Sequence, residues 1–246
     1  MQVNLENTKQ LRMKLAVMQP YFMPYIGYFQ MIKAVDKFVF YDDVNYIKQG
    51  WINRNKLIVN NQEYLFTIPL EKATPFALIN ETKINKNLYP SWKKKFLKTV
   101  TQSYHKAPFF EKIYPLIEKI LASEEIMISQ LAMNSIIEVS TYLGLDTEFI
   151  MSSVKYDNRK LDRQDRLIDI CKIENAEHYI NAIGGQELYG REDFHAHGIQ
   201  LQFIESEQTP YDQFCVSFIP GLSIIDLLMF NSTEDMVQRL ENYSLI

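Results

Sequence analysis

The sequence predicts an α/β protein with a mainly parallel sheet and an inserted block of helices. Two observations carry this. Short, apolar runs such as "KLAVM" (14–18) and the start of "KFVFYDDV" (37–44) are separated by helical patterns toward both ends of the chain. Strands covered on both faces lose the polar alternation of an open sheet, so such runs suit buried parallel strands. Between about 87 and 144, helical patterns follow one another with no strand signal. No Gly- or Ser-rich linker and no repeat divides the chain. Residues 13–246 are therefore expected as a single α/β domain with a helical insertion at about 87–144. The polar start "MQVNLENTKQLR" lacks the apolar centre of a signal peptide and is expected as a loose tail over residues 1–12.

The elements follow in order. "KLAVM" is the first strand. It runs into "QPYFMPYI" (19–26), where Pro20 and Pro24 fix φ and withdraw two backbone donors, so the connection holds one shape. A loop shaped that firmly is either a structural corner or the floor of a site. "GYFQMIKAV" (27–35) has Tyr28, Met31, Ile32 and Val35 at helical spacing. "KFVFYDDV" (37–44) is a second strand that ends in two carboxylates. Strand, helix and strand over about thirty residues make one βαβ unit, whose ligands lie beyond the carboxyl ends of the strands. The loop at 19–26 and the pair Asp42 and Asp43 then share one end of the sheet.

"KLIVNNQEYLFTIPL" (56–70) predicts a hairpin turning at Asn60–Asn61, with "NETKIN" (80–85) as a third strand. Three helices follow, "YPSWKKKFLKTVTQSY", "PFFEKIYPLIEKIL" and "SQLAMNSIIEVSTYLG", the last stopping at Gly144. "TEFIMSSV" (147–154) reads as strand and "DRQDRLIDICKI" (162–173) as helix. "HYINA" (178–182) is a strand running into Gly184–Gly185, and "GIQLQFIE" (198–205) is another strand. "GLSIIDLLMFN" (221–231) leads into a closing helix through about 242.

Composition narrows the function. A net charge of −4 disfavours a nucleic-acid coat or a polybasic membrane binder. Cys171 and Cys215 lack CxxC spacing, which speaks against a zinc knuckle or disulfide framework and suits a reducing cytoplasm. No apolar stretch is long enough to span a bilayer. His195 and His197 lack a third ligand at useful spacing, so no metal site is expected. Ser223 lies outside any GxSxG context, and Asp226 reads as a hydrogen-bonded core carboxylate. Neither a Walker motif nor a GxGxxG is present.

Two clusters remain. "YDDVNYIKQGWINRN" (41–55) gathers carboxylates, amides, rings and cations just past a buried strand. Taken singly, these residues read as a polar loop with Asp residues capping a turn. Taken together they make a ligand site. Asp42 or Asp43 serves as base or accepts hydrogen bonds from hydroxyls, and Lys48, Arg54 and Asn55 hold a phosphate or oxyanion. Trp51 and Tyr46 offer stacking faces, and Gln19, Tyr21 and Tyr25 from the proline-rich loop complete the wall. In "YINAIGGQELY" (179–189), Asn181, Gly184 and Gly185 let a ligand approach the backbone, although a plain turn is the alternative. Asn158, Arg159, Arg163, Asp165 and Arg166 crowd the start of the 162–173 helix. Arginine is unfavourable in a first helical turn unless an anion or carboxylate is near, and a solvated face is the alternative.

The run "LAVMQPYFMPYIGYFQMIKAVDKFVFYDDVNYIKQGWINRNKL" resembles the opening signature of the WbqC-like family. "HYINAIGGQELY" and "FIPGLSIIDLLMFN" resemble its later blocks. The resemblance implies a place in bacterial surface-polysaccharide (O-antigen, lipopolysaccharide) synthesis and attachment of an amino acid such as glycine to a sugar amine. The partner is then a nucleotide-linked amino sugar, and the acyl donor is ATP plus an amino acid or a charged tRNA. "SWKKKFLK" (91–98) is the candidate tRNA surface. The opening βαβ unit is also similar in outline to nucleotidylyltransferases and pantothenate synthetases, which implies a Rossmann-like sheet. Those proteins carry a histidine motif where this chain has "PYIGY". Three functions stand at this point: an aminoacyl or acyl transferase, a nucleotidyltransferase or ATP-dependent ligase on the same fold, and a non-catalytic binder of sugar nucleotides.

Overall fold

The computed structural model describes residues 12–72, 74 and 76–246. Apart from Arg12, the expected tail lies outside the described residues. Strand β1 (Lys14–Met18) lies between β2 (Lys37–Phe40) and β6 (His178–Ala182), parallel to both. Strand β5 (Glu148–Ile150) extends the sheet on the β2 side, and β7 (Gln200–Ser206) extends it beyond β6, again in parallel. The closing strand β8 (Tyr243–Leu245) runs antiparallel to β7. The spatial order β5-β2-β1-β6-β7-β8 is that of a doubly wound sheet, mostly parallel as expected. The chain works outward from β1 to β5, then returns to the other side of β1. The reversal falls between β1 and β6.

Side chains on the strands alternate between two cores. Leu15 and Val17 join Tyr179 and Phe203 on one face, covered by α5 (Arg163–Ile173) and α6 (Arg191–Ala196). Ala16, Phe38, Phe40 and Ile180 enter the larger core on the other face. That core includes α1 (Ile26–Lys33), α7 (Ile224–Phe230) and α8 (Thr233–Leu240). It also takes in the helical block of α2 (Tyr89–Tyr104), α3 (Phe110–Ala122) and α4 (Ile128–Tyr142). Phe38 and Phe40 are fully buried, each side chain stabilising the fold by about 1.5–3 kcal/mol. No helix among the described residues is long and apolar enough to cross a membrane.

The hairpin forms as β3 (Arg54–Val59) and β4 (Gln62–Thr67), turning on Asn60 and Asn61, both at positive φ. Three expectations change. "NETKIN" is no strand: Ile79–Glu81 is a 3-10 turn whose amides are taken by the loop after β2, Ile79 donating to Val44 and Asn80 to Asp42. The expected 147–154 strand stops at Ile150, because Ser152 and Ser153 turn back to the Asp42 and Asp43 carboxylates. The closing helix is split at Asn231. There Ser232 starts α8 with a capping box to Asp235, and Arg239 donates to the Asn231 side chain. Strand β8 and helix α6 are short and carried no signal.

The proline-rich loop turns on Met23, which is buried at φ +47°. Its amide donates to Ser135 Oγ at 3.0 Å, and its carbonyl accepts from Asn55 Nδ2 and from Ser223 Oγ. Phe22 N donates to the Ile52 carbonyl, and Ile224 N to that of Pro24. One residue thereby joins the hairpin, the helical block and the segment before α7. Asn55→Ala removes one of these ties from a buried carbonyl and should lower stability by about 1–3 kcal/mol in chemical denaturation. A loss below about 0.5 kcal/mol, within the range of ordinary surface substitutions, would contradict this role.

Candidate functional site

At the carboxyl ends of β1 and β6, where the strand order reverses, two cavities adjoin. Both are lined by Met18, Gln19, Ile47 and Ala182. Crevices at such reversals are the usual ligand sites of open α/β sheets. The loop at 19–26, the segment after β2 and the 183–185 turn therefore meet at one end of one sheet.

The smaller chamber, about 310 Å³, is apolar and walled by Tyr21, Tyr25, Tyr28, Met31 and Trp51. Tyr21 and Trp51 have ring centroids 6.2 Å apart, and Tyr28 meets Tyr21 edge-on. The Tyr28 hydroxyl donates to the Gln19 carbonyl at 2.8 Å, which fixes the loop over the first turn of α1. Gly27 admits Tyr25: a Cβ there would stand 2.5 Å from the Tyr25 ring. Burial pushes the Tyr21 and Tyr25 phenols up, so both stay neutral donors at ordinary pH. Ser206 also lines this chamber, and its buried Oγ has no partner among the described residues. A buried hydroxyl left unpaired is a polar handle for a ligand.

The larger chamber, about 800 Å³, is polar. Its wall includes Tyr41, Asp43, Asn181, Gly184, Gly185 and Tyr189, together with Arg159, Arg163 and Arg166. Arg166 Nη2 donates to both Asp43 oxygens at 2.8 Å, and its Nε donates to Asn158. The guanidinium also lies over the Tyr41 ring, 4.7 Å from its centroid. The carboxylate that offsets an arginine early in α5 is thus Asp43, supplied from the end of β2. Asn181 holds its own strand end, accepting from Ala182 N and donating to the Tyr179 hydroxyl. Gly185 is pressed against Asn181, a Cβ there standing 3.1 Å from it, whereas Gly184 faces open space.

The sequence candidates divide accordingly. Gln19, Tyr21, Tyr25, Trp51, Asp43, Asn181, Gly184 and Gly185 stand in the walls. Asp42, Lys48, Tyr46, Arg54 and Asn55 stand outside both. Asp42 is buried and accepts from Ser152 Oγ and Ser153 N; burial raises its pKa, with those hydrogen bonds opposing. Lys48 is exposed because the chain folds back at Gln49, at φ +66°, and turns Ile47 to the cleft instead. The Tyr46 hydroxyl donates to Asn53. Arg54 lies over the Trp51 ring, 5.4 Å from its centroid, and donates to the Gln49 carbonyl. Asn55 belongs to the Met23 corner. Tyr28 and Met31 read as core from their spacing, and Ser206 carried no sequence signal at all. Lys93, Lys94 and Lys95 lie on α2, which adds no residue to either wall, and Lys93 donates to the Leu121 carbonyl. Among the described residues no group of His, Cys, Asp or Glu is placed to hold a metal ion.

Asp43→Asn should cost about 3–5 kcal/mol in thermal or chemical denaturation, because it strands a buried guanidinium. A change below about 1 kcal/mol would show that Arg166 finds other partners and that the pair does not organise the wall.

The match to the family model described as the WbqC-like protein family covers residues 19–238, which include every wall residue of the two chambers except Val17 and Met18. The chain is similar to the uncharacterized protein Rv1507c of Mycobacterium tuberculosis, with 27% identity over 219 residues, 87% of this chain and 92% of that protein. No solved structure matches. With the match reaching from the proline-rich loop to α8, the chain belongs to the WbqC-like protein family.

Proposed function

We propose that this cleft binds a nucleotide-linked amino sugar and transfers an aminoacyl or acyl group to its amine. The reading rests chiefly on the split cleft at the strand reversal, an aromatic chamber joined to an arginine-lined one. Such a pair suits a ligand with a flat or deoxygenated part and an anionic part. In the reaction, the amine nitrogen attacks the acyl carbonyl and the bond from that carbon to the donor oxygen breaks, releasing the tRNA hydroxyl from an ester or a phosphate from an ATP-activated amino acid. The ammonium proton passes to a base, and Asp43 is the carboxylate among the described wall residues. The donor is a charged tRNA or an amino acid activated by ATP, and bacterial surface-polysaccharide synthesis is the setting this reading supplies.

One observation favours a second reading. Both Asp43 oxygens already accept from Arg166, and Ser153 adds a third hydrogen bond, so the carboxylate is well occupied without a substrate. A protein that binds the sugar nucleotide without acting on it would have this arrangement.

The readings separate in one assay. Purified protein is incubated with nucleotide-linked amino sugars and either glycyl-tRNA or ATP plus glycine, and products are weighed by mass spectrometry. The transferase reading expects an amide of the sugar nucleotide, formed with one donor and not the other. Saturable binding with no product under either condition would establish the binder instead, and absence of binding would reject both.

A further inference from the structure

We propose that Arg159 and Arg163, which line the larger chamber together with Tyr41, form a subsite for the diphosphate of the bound nucleotide. The inference deepens the sugar-nucleotide reading and rests on it. The charged residues of this wall are three arginines against one carboxylate, an excess of two positive charges in a chain whose net charge is −4. Asp43 is consumed by Arg166. Arg159 and Arg163 have no ion pair or hydrogen bond among the described residues, and both are exposed into the cavity. Unpaired guanidinium groups converging on a concave wall are the usual apparatus for phosphoryl oxygens, which they meet with charge-assisted hydrogen bonds.

The size of the excess selects the ligand. A diphosphate diester carries one negative charge on each phosphoryl group and so balances two arginines. The neighbouring phenols agree. Arg163 lies close enough to Tyr41 and Tyr189 for its charge to act on both hydroxyls. Burial pushes Tyr41 up to about 12, so it remains a neutral O–H donor for a further phosphoryl oxygen. Gly184, with open space where a Cβ would stand, leaves that side of the chamber clear. The assignment moves the anion site from Lys48, Arg54 and Asn55, which stand outside both chambers, to the wall of the larger one. Gln19 and Ala182, shared by both chambers, then mark where the diphosphate gives way to the aromatic end of the ligand.

Titration calorimetry tests this with four magnesium-free probes: UDP-N-acetylglucosamine, dTDP-glucose, GDP-mannose and inorganic pyrophosphate. The proteins are the unaltered chain, Arg159→Gln, Arg163→Gln and the control Arg191→Gln, whose guanidinium lies over Phe203 away from both chambers. Each of the first two substitutions should weaken the sugar nucleotide that binds by roughly 10- to 100-fold, and pyrophosphate likewise, at unchanged melting temperature. The control should change neither. Sugar-nucleotide binding that survives both substitutions would overturn the subsite and leave the sugar-nucleotide reading standing. Arginine-dependent binding of pyrophosphate alone would support the subsite and count against that reading. Binding of none of the four would overturn the subsite.

Discussion

The backbone of Met23 is the constraint on which the rest depends. A residue with a Cβ held at φ +47° is strained, and it persists only where its surroundings fix it. Here Ser135 of the helical block, Asn55 of the hairpin and Ser223 before α7 take its amide and carbonyl. Those three side chains come from segments that are remote in sequence, and the inserted elements are held to the sheet at this point. The inner half of the proline-rich loop, Phe22 to Pro24, is therefore a structural corner. Its outer residues, Gln19, Tyr21 and Tyr25, are presented as the floor of a cleft. Both roles of a stiff loop are realised in one segment.

The division of labour extends to the carboxylates after β2. Asp42 draws Ser152 and Ser153 back after β5, and Asp43 draws in Arg166 from α5. The end of β2 is thereby tied to the segment after β5 and to α5, so these walls of the cleft are held by the protein's own side chains. Pre-formed walls reduce the ordering cost of binding. Arg166, once paired, serves the scaffold, and the neighbouring arginines keep their charge for whatever enters.

Much of this was legible in the sequence, for identifiable reasons. Apolar runs marked β1 and β2, and Asn60–Asn61 marked the hairpin, because both signals are local. The side of the chain a loop residue faces is not local. Lys48 was expected inside, but one residue at positive φ turns Ile47 there instead. Asn55 was expected to hold an anion. In β3 the alternation sends Asn55 inward and leaves Arg54 against Trp51. The strain of arginine near a helix start pointed to an anion or carboxylate; that its partner was Asp43, 123 residues away, needed the fold. Strand β8, three residues long, depends on pairing with β7 and has little signal of its own.

The central claim is that one ligand spans both chambers across Gln19 and Ala182. A crystal structure of the protein in complex with a nucleotide-linked amino sugar tests it most directly. The account predicts the ring system of the ligand against Tyr21 and Trp51 and its phosphoryl groups on the side of Arg159 and Arg163. Ligand bound instead in the separate cavity of about 520 Å³ beside Asn60, Gln102 and Phe214 would contradict it.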